Sequence, residues 1–165
     1  MCTSLLTKDA VLAQCGENAA VKAILAWDAT ALTDAKYEHQ ELTLTIAADK
    51  IHAAAAAVQT AGYNFFEDVT AVDWFPASPR FQLSYHILSH ALKERLRLCV
   101  LVDGESPEVE SITSLWPSAN FFEREVFDLF GIRFSNHPNL RRIMMPDDWQ
   151  GHPLRKDYPV EGYRA

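Results

Sequence analysis

The chain has 165 residues, 48% of them hydrophobic, which suits one domain with a real core. Its net charge of −7 argues against nucleic acid or an anionic membrane surface as the main partner. That charge is unevenly spread. Residues 131–165 balance to +2 and residues 1–130 to −9, the asymmetry of an acidic body with a basic interaction tail.

Three scattered cysteines, Cys2, Cys15 and Cys99, cannot build a disulfide framework. They also fall short of the about four thiolates that an iron–sulfur cluster takes from its host. The chain reads as intracellular and free of its own cluster. Its longest purely apolar run, Ala53 to Val58, is far below the roughly 20 residues of a membrane span. The start "MCTSLLTKDA" lacks a basic segment followed by an apolar one, so no secretory signal is expected. Membrane association would then come through partners.

In chain order, residues 3–15 have helical composition and stop at Gly16. The alanine-rich "VKAILAWDATAL" within 20–33 suits a helix or an interior strand, and enters the element order as a strand. "ELTLTIA" (41–47) alternates, with Leu42, Leu44 and Ile46 inward. Asp49 is the expected cap of a helix that runs to Ala61 and ends at Gly62. The aromatic and β-branched "FFEDVTAVDWF" (65–75) closes with Pro76. "RFQLSYHIL" (80–88) and "RLRLCVLV" (95–102) both alternate and predict an antiparallel hairpin.

"ANFFEREVFDLFGI" (119–132) predicts a helix from Ser118 as N-cap to Gly131 as C-cap. At about 100° per residue, Ala119, Phe122, Val126, Leu129 and Phe130 form one stripe, while Phe121 and Phe127 fall to opposite sides of it. Glu123 sits between Phe130 and Phe127, where water should be scarce. This helix reads as covered from more than one direction. The order α-β-β-α-β-β-β-α predicts an α+β domain over residues 1–131, with about five strands and helices on one face of the sheet.

Residues 132–165 hold four of the eight prolines and no periodicity, yet include Ile143, Met144, Met145, Trp149, Leu154 and Tyr158. Disorder does not favour such a composition. An extended arm wrapped over another protein fits it, against the alternative of an arm folded back on its own domain. With the regular elements all before it, a chain ended at Gly131 is expected to keep its fold.

Six glycines make no phosphate-binding loop, and no Cys or His cluster has zinc-ligand spacing. His86 and His90 share one side of a helix or one face of a strand, so their spacing decides nothing. His137 and His152 each precede a proline and read as hydrogen-bonding loop residues. Glu123, Glu125 and Asp128 offer carboxylates for acid–base work, but no nucleophile or metal accompanies them. Arg124 and Asp128 are spaced for an i,i+4 pair. These charges make either ion pairs on the helix surface or pairs buried against a partner, where losing one member is costly. Arg141, Arg142, Arg155 and Lys156 lie near Trp149, Tyr158 and prolines, the composition of an interface.

"EREVFDLFGI" (123–132) followed by "HPNLRRIMMPDDWQGHPLRKDYP" (137–159) resembles the thirty-kilodalton subunit of respiratory complex I, the proton-pumping NADH:quinone oxidoreductase. "DVTAVDWFP" and "SLWP" add a weaker match. The resemblance implies a two-layer α+β fold with a mixed sheet. It implies a non-catalytic subunit of the hydrophilic arm, placed beside the subunit that forms the quinone site and a second one that bears an iron–sulfur cluster. FMN and iron–sulfur clusters would belong to partner subunits and no cofactor to this one. The location implied is peripheral, on the cytoplasmic side of the bacterial inner membrane. The family motif carries over to Glu123, Arg124, Glu125, Asp128, Gly131, His137, Pro138, Arg141, Arg142, Pro146, Trp149, Gly151, Pro153, Leu154, Arg155, Lys156, Asp157 and Tyr158. Related domains occur in membrane-bound hydrogenases, F420H2 dehydrogenases and the plastoquinone-reducing complex.

Overall fold

Alternation along three strands sets the core. In β2 (Glu41–Ile46), β4 (Phe81–Ser89) and β5 (Glu94–Val102), every second side chain is buried toward one face. The register aligns them in rows: Leu44 beside Leu98 beside Tyr85, and Leu42 beside Leu96 beside Ile87. The structure, a computed structural model, describes residues 7–162. Its five-stranded sheet has the order β1-β2-β5-β4-β3, with β1 at Leu32–Glu38 and β3 at Phe65–Asp73. The β2–β5 pair is parallel and the others antiparallel, so the sheet is mixed.

Helices cover one face. Helices α2 (Ala19–Asp28) and α3 (Ile51–Thr60) pack on each other. Buried Ala54, Ala55 and Val58 let α3 lie close against its neighbours. Helix α4 (Ala119–Phe130) packs against β3. There Phe66 stacks on Trp116 and meets the edge of Phe122, each at 5.9 Å between ring centroids. Helix α1 (Lys8–Cys15) lies against edge strand β1 and buries Val11.

The observed order departs from the expected one at 20–33. That segment is helix α2, started by Asn18 Oδ1 accepting the Ala20 N–H at 2.9 Å, and the strand follows it. A register shift between Leu32 and Asp34 breaks the alternation of β1, which hid it as a strand. Asp49 does not cap α3. It lies inside a 3-10 turn, Ala48–Lys50, that runs straight into the helix.

The boundary at Gly131 also differs from expectation. Residues Arg133–Ser135 form strand β7, parallel to β6 (Glu108–Glu110), and Ile132 and Phe134 are buried in the core. The rest of the tail, as far as residue 162, lacks helix and strand but lies along α4 and the end of β3 (below). No helix among the described residues is long and apolar enough to cross a membrane.

Candidate functional site

Four charged residues on α4 go four different ways. Glu123 is fully buried. One of its oxygens accepts the Ile112 N–H at 2.8 Å and the other the Ser111 hydroxyl at 2.6 Å. Its carboxylate therefore pins the loop that leads into the helix. Burial pushes its pKa up to about 7, against the pull of those two hydrogen bonds. His137 stands 3.9 Å from it but is no cation: its Nδ1 accepts the Asn139 N–H at 3.0 Å, so the proton is on Nε2, which donates to the Asn120 carbonyl. Desolvation lowers the pKa of this imidazole as well.

Arg124 does not pair with Asp128. Its guanidinium donates to the Arg141 and Arg142 carbonyls at 3.1 and 3.2 Å, holding the arm backbone over the helix. Asp128, also fully buried, accepts three successive backbone N–H groups, from Ile143, Met144 and Met145, at 2.8–3.0 Å. Arg142 Nη1 donates to its other oxygen at 2.5 Å. Burial alone would raise its pKa, yet these donors together hold it below the usual carboxylate range. Glu125 is exposed and makes no hydrogen bond or ion pair among the described residues.

The last four carbonyls of a helix lack partners of their own. Here each finds one. Gly131 N–H reaches Phe127 O at 2.9 Å, His152 Nδ1–H reaches Asp128 O at 2.9 Å, Leu154 N–H reaches Leu129 O at 3.0 Å, and Arg155 Nε–H reaches Phe130 O at 2.6 Å. The "GHPLR" stretch is thus a C-terminal cap supplied from more than twenty residues away. Gly131 has φ +73°, and a Cβ there would lie 2.5 Å from the His152 ring and 2.8 Å from Arg155, so both conformation and space call for glycine. Arg142 also donates to Gly151 O at 3.0 Å and the Tyr158 hydroxyl to Gln150 O at 3.3 Å, closing the arm on itself.

A second anchor involves Asp73 and Arg80, neither of them a candidate by sequence. Buried Asp73 accepts from Phe75 N–H, Arg80 Nε and Nη2, and Lys156 N–H at 2.7–2.9 Å. Arg80 also grips Asp157 with two bonds, at 2.6 and 2.9 Å, and lies over the Phe75 and Phe81 rings. Burial opposes ionisation of Asp73, but Arg80 and the backbone donors lower its pKa to about 2. The only signal in the sequence is an aspartate and an arginine bounding a short aromatic, proline-rich turn, where the arginine reads as no more than the start of a strand.

The motif is thereby brought together around α4, though its members differ in role. Arg124, Asp128, Gly131, His137, Arg142, Gly151, Leu154 (by its backbone), Arg155, Lys156 (by its backbone), Asp157 and Tyr158 hold the arm in place, while Glu123 holds the loop before the helix. Pro138, Pro146, Trp149 and the side chains of Arg141, Leu154 and Lys156 face outward, while Pro153 is half-buried. Ile143, Met144 and Phe121 are exposed too. His86 lies on the uncovered sheet face, taking a bond from Arg97 Nε at 2.9 Å and bonding Asp68 at 2.6 Å. Cys15 ends α1 and Cys99 is buried mid-strand in β5. Among the described residues no three His, Cys, Asp or Glu side chains converge as a metal site.

Replacing Glu123 by Gln should change how stability depends on pH. A carboxyl raised in the fold from 4.5 to about 7 stabilises fully below its unfolded pKa, and that share is lost as pH rises through about 7. The loss is on the order of 3 kcal/mol. His137 and His152, lowered by burial, act in the opposite sense, so the difference between variant and parent isolates Glu123. The thermal midpoint of the parent relative to that of Glu123→Gln should fall as pH rises from about 4.5 to about 7 and stay level beyond. Parallel curves from acid to alkali would show that Glu123 does not titrate there.

Residues 44–164 match the family described as "Respiratory-chain NADH dehydrogenase, 30 Kd subunit". An NADH-quinone oxidoreductase subunit from Citrifermentans bemidjiense is 45% identical over 135 residues, covering 81% of this chain and 84% of that protein. Among solved structures, the trypsin-resistant fragment of Nqo5 is 34% identical with a TM-score of 0.57, over 61% of this chain and 83% of that one. A chain in the structure of the membrane-bound sulfane sulfur reductase, an archaeal respiratory membrane complex, reaches a TM-score of 0.75 at 25% identity, over 89% and 87%. A mixed α+β sheet whose fourth helix is wrapped by the "HPNLRRIMMPDDWQGHPLRKDYP" arm is thus a member of the family of the 30-kDa subunit of respiratory-chain NADH dehydrogenase.

Proposed function

We propose that this chain is a non-catalytic subunit of the hydrophilic arm of NADH:quinone oxidoreductase, on the cytoplasmic side of the inner membrane. There it docks the quinone-site subunit and the cluster-bearing subunit. One observation carries the reading: the arm is hydrogen-bonded along its backbone to α4 and leaves Ile143, Met144, Trp149 and Leu154 facing outward. Such apolar side chains grouped on one irregular but internally bonded segment mark a protein–protein surface. FMN and iron–sulfur clusters belong, in this reading, to the partner subunits. The chain contributes position and stability to the electron path and no reacting group.

A tagged chain captured from mild detergent extracts should bring down the quinone-site and cluster-bearing subunits, flavin and iron–sulfur absorbance, and NADH:quinone activity. The chain purified alone should be colourless. Flavin or cluster retained by the isolated chain at near one per chain would overturn the proposal. So would capture of the chain without any cluster protein. The likeness to the sulfane sulfur reductase chain favours a second reading, the same docking role in a related membrane complex. A captured complex that carries clusters but does not oxidise NADH would select it.

A further inference from the structure

Three of the four charged side chains of α4 are consumed within the chain: Glu123 by Ser111 and Ile112, Arg124 by the arm carbonyls, Asp128 by Arg142 and three N–H groups. Glu125 is the one left over. At about 100° per residue it lies roughly 40° around the helix from Phe121, on the flank beside Asp128. Phe121 is 61% exposed, though its ring is in reach of the Arg124 guanidinium at 6.0 Å. Across the same flank runs the arm, whose Ile143 and Met144 N–H groups bond Asp128 and whose side chains are 39% and 62% exposed. A carboxylate with no partner among the described residues therefore shares one flank of α4 with an exposed phenyl ring, and the arm segment bonded to Asp128 on that flank exposes the apolar side chains of Ile143 and Met144.

We infer that Phe121, Glu125, Ile143 and Met144 form a docking surface for a protein that presents an arginine or lysine beside an apolar pocket. The inference rests on the reading of this chain as an assembly subunit and names the chemistry of one of its partners. The apolar members gain by leaving water, but closing a partner over them desolvates Glu125. An unpaired carboxylate opposes that closure, whereas a facing cation permits it and fixes the register. An anionic lipid surface is disfavoured by the same carboxylate and by the net charge of −7.

The test uses the full chain, tagged, in cells lacking their own copy. Glu125→Arg should reduce the amount of complex captured by at least about tenfold, the scale expected when a desolvated charge meets its like. Glu125→Gln should fall in between, and Glu105→Arg, in the exposed loop after β5, should match the parent. The thermal midpoint of free Glu125→Arg chain should stay with the parent's, which separates docking from folding. A photoreactive benzoylphenylalanine at position 121 should cross-link to a partner peptide containing an arginine or lysine. Parent-level capture by Glu125→Arg, or a cross-link to lipid, overturns the inference while leaving the subunit reading standing. Failure of the parent chain to capture any other subunit overturns both.

Discussion

Ending the chain after Gly131 should destroy its cooperative thermal transition, as followed by near-ultraviolet circular dichroism and calorimetry. The cut removes Ile132 and Phe134, both buried in the core, at roughly 1.5–3 kcal/mol each. It removes β7, leaving β6 unpaired. It also strips three of the four partners from the last carbonyls of α4, together with Arg142 and the three N–H groups that hold the Asp128 carboxylate. Helix α4 would then fray from its C-terminal end, where Val126 and Phe130 are buried in the core. Against a total stability of about 5–15 kcal/mol, these losses are decisive. Ending after Asn136 instead keeps β7 and the two core residues, and its smaller loss measures the arm alone. A Gly131 truncation that melts within a few degrees of the full chain would show that the arm is an ornament to the fold.

Reversing charge at two adjacent arginines should have opposite consequences. Arg142 is mostly buried against Asp128, so Arg142→Glu sets two carboxylates face to face and removes the bond to Gly151 O. Breaking a buried pair in this way costs about 3–5 kcal/mol, a drop in midpoint on the order of 10 °C for a domain of this size. Arg141 uses only its carbonyl within the chain, and its side chain is exposed without a partner among the described residues. Arg141→Glu should therefore shift the free chain by no more than about 0.5 kcal/mol, yet weaken assembly by about 2–5 kcal/mol where a partner carboxylate meets it. Midpoints and quantities of assembled complex, measured side by side, decide this. Equal destabilisation of the free chain by both variants would contradict the assignment.

Most of the sheet was legible because β2, β4 and β5 alternate without interruption, and α4 because its cap glycine and apolar stripe agree. What escaped reading did so for local reasons. The bulge in β1 shifts its inward residues from Leu32 to Ala35 and Tyr37, which no two-residue period describes. Strands β6 and β7 have three residues each and exist by pairing with one another. At the site, the sequence placed Glu123 where water is scarce but could not supply its partners, since Ser111 and Ile112 approach from a loop. It offered Arg124 and Asp128 to each other by spacing. The arm intervenes and gives Arg124 carbonyls and Asp128 a different arginine and three N–H groups. Long-range partners such as Asp73 with Lys156 carry no periodicity at all.

The clasp between Arg80 and Asp157 joins residues 77 positions apart, and that between Asp73 and Lys156 joins residues 83 apart. During synthesis the chain leaves the ribosome at about 5–20 residues per second, N-terminus first. The sheet is complete in sequence by Val102, but the outward surface of the arm takes shape only when residues 141–157 close over α4. A chain that lacks residues 141–157 thus does not form that surface. Once closed, the arm is already ordered, with its backbone entropy lost at folding and not at any later association. Order in residues 141–157 is in this way tied to the sheet, through Asp73 reaching across 83 positions to Lys156 and Arg80 across 77 to Asp157.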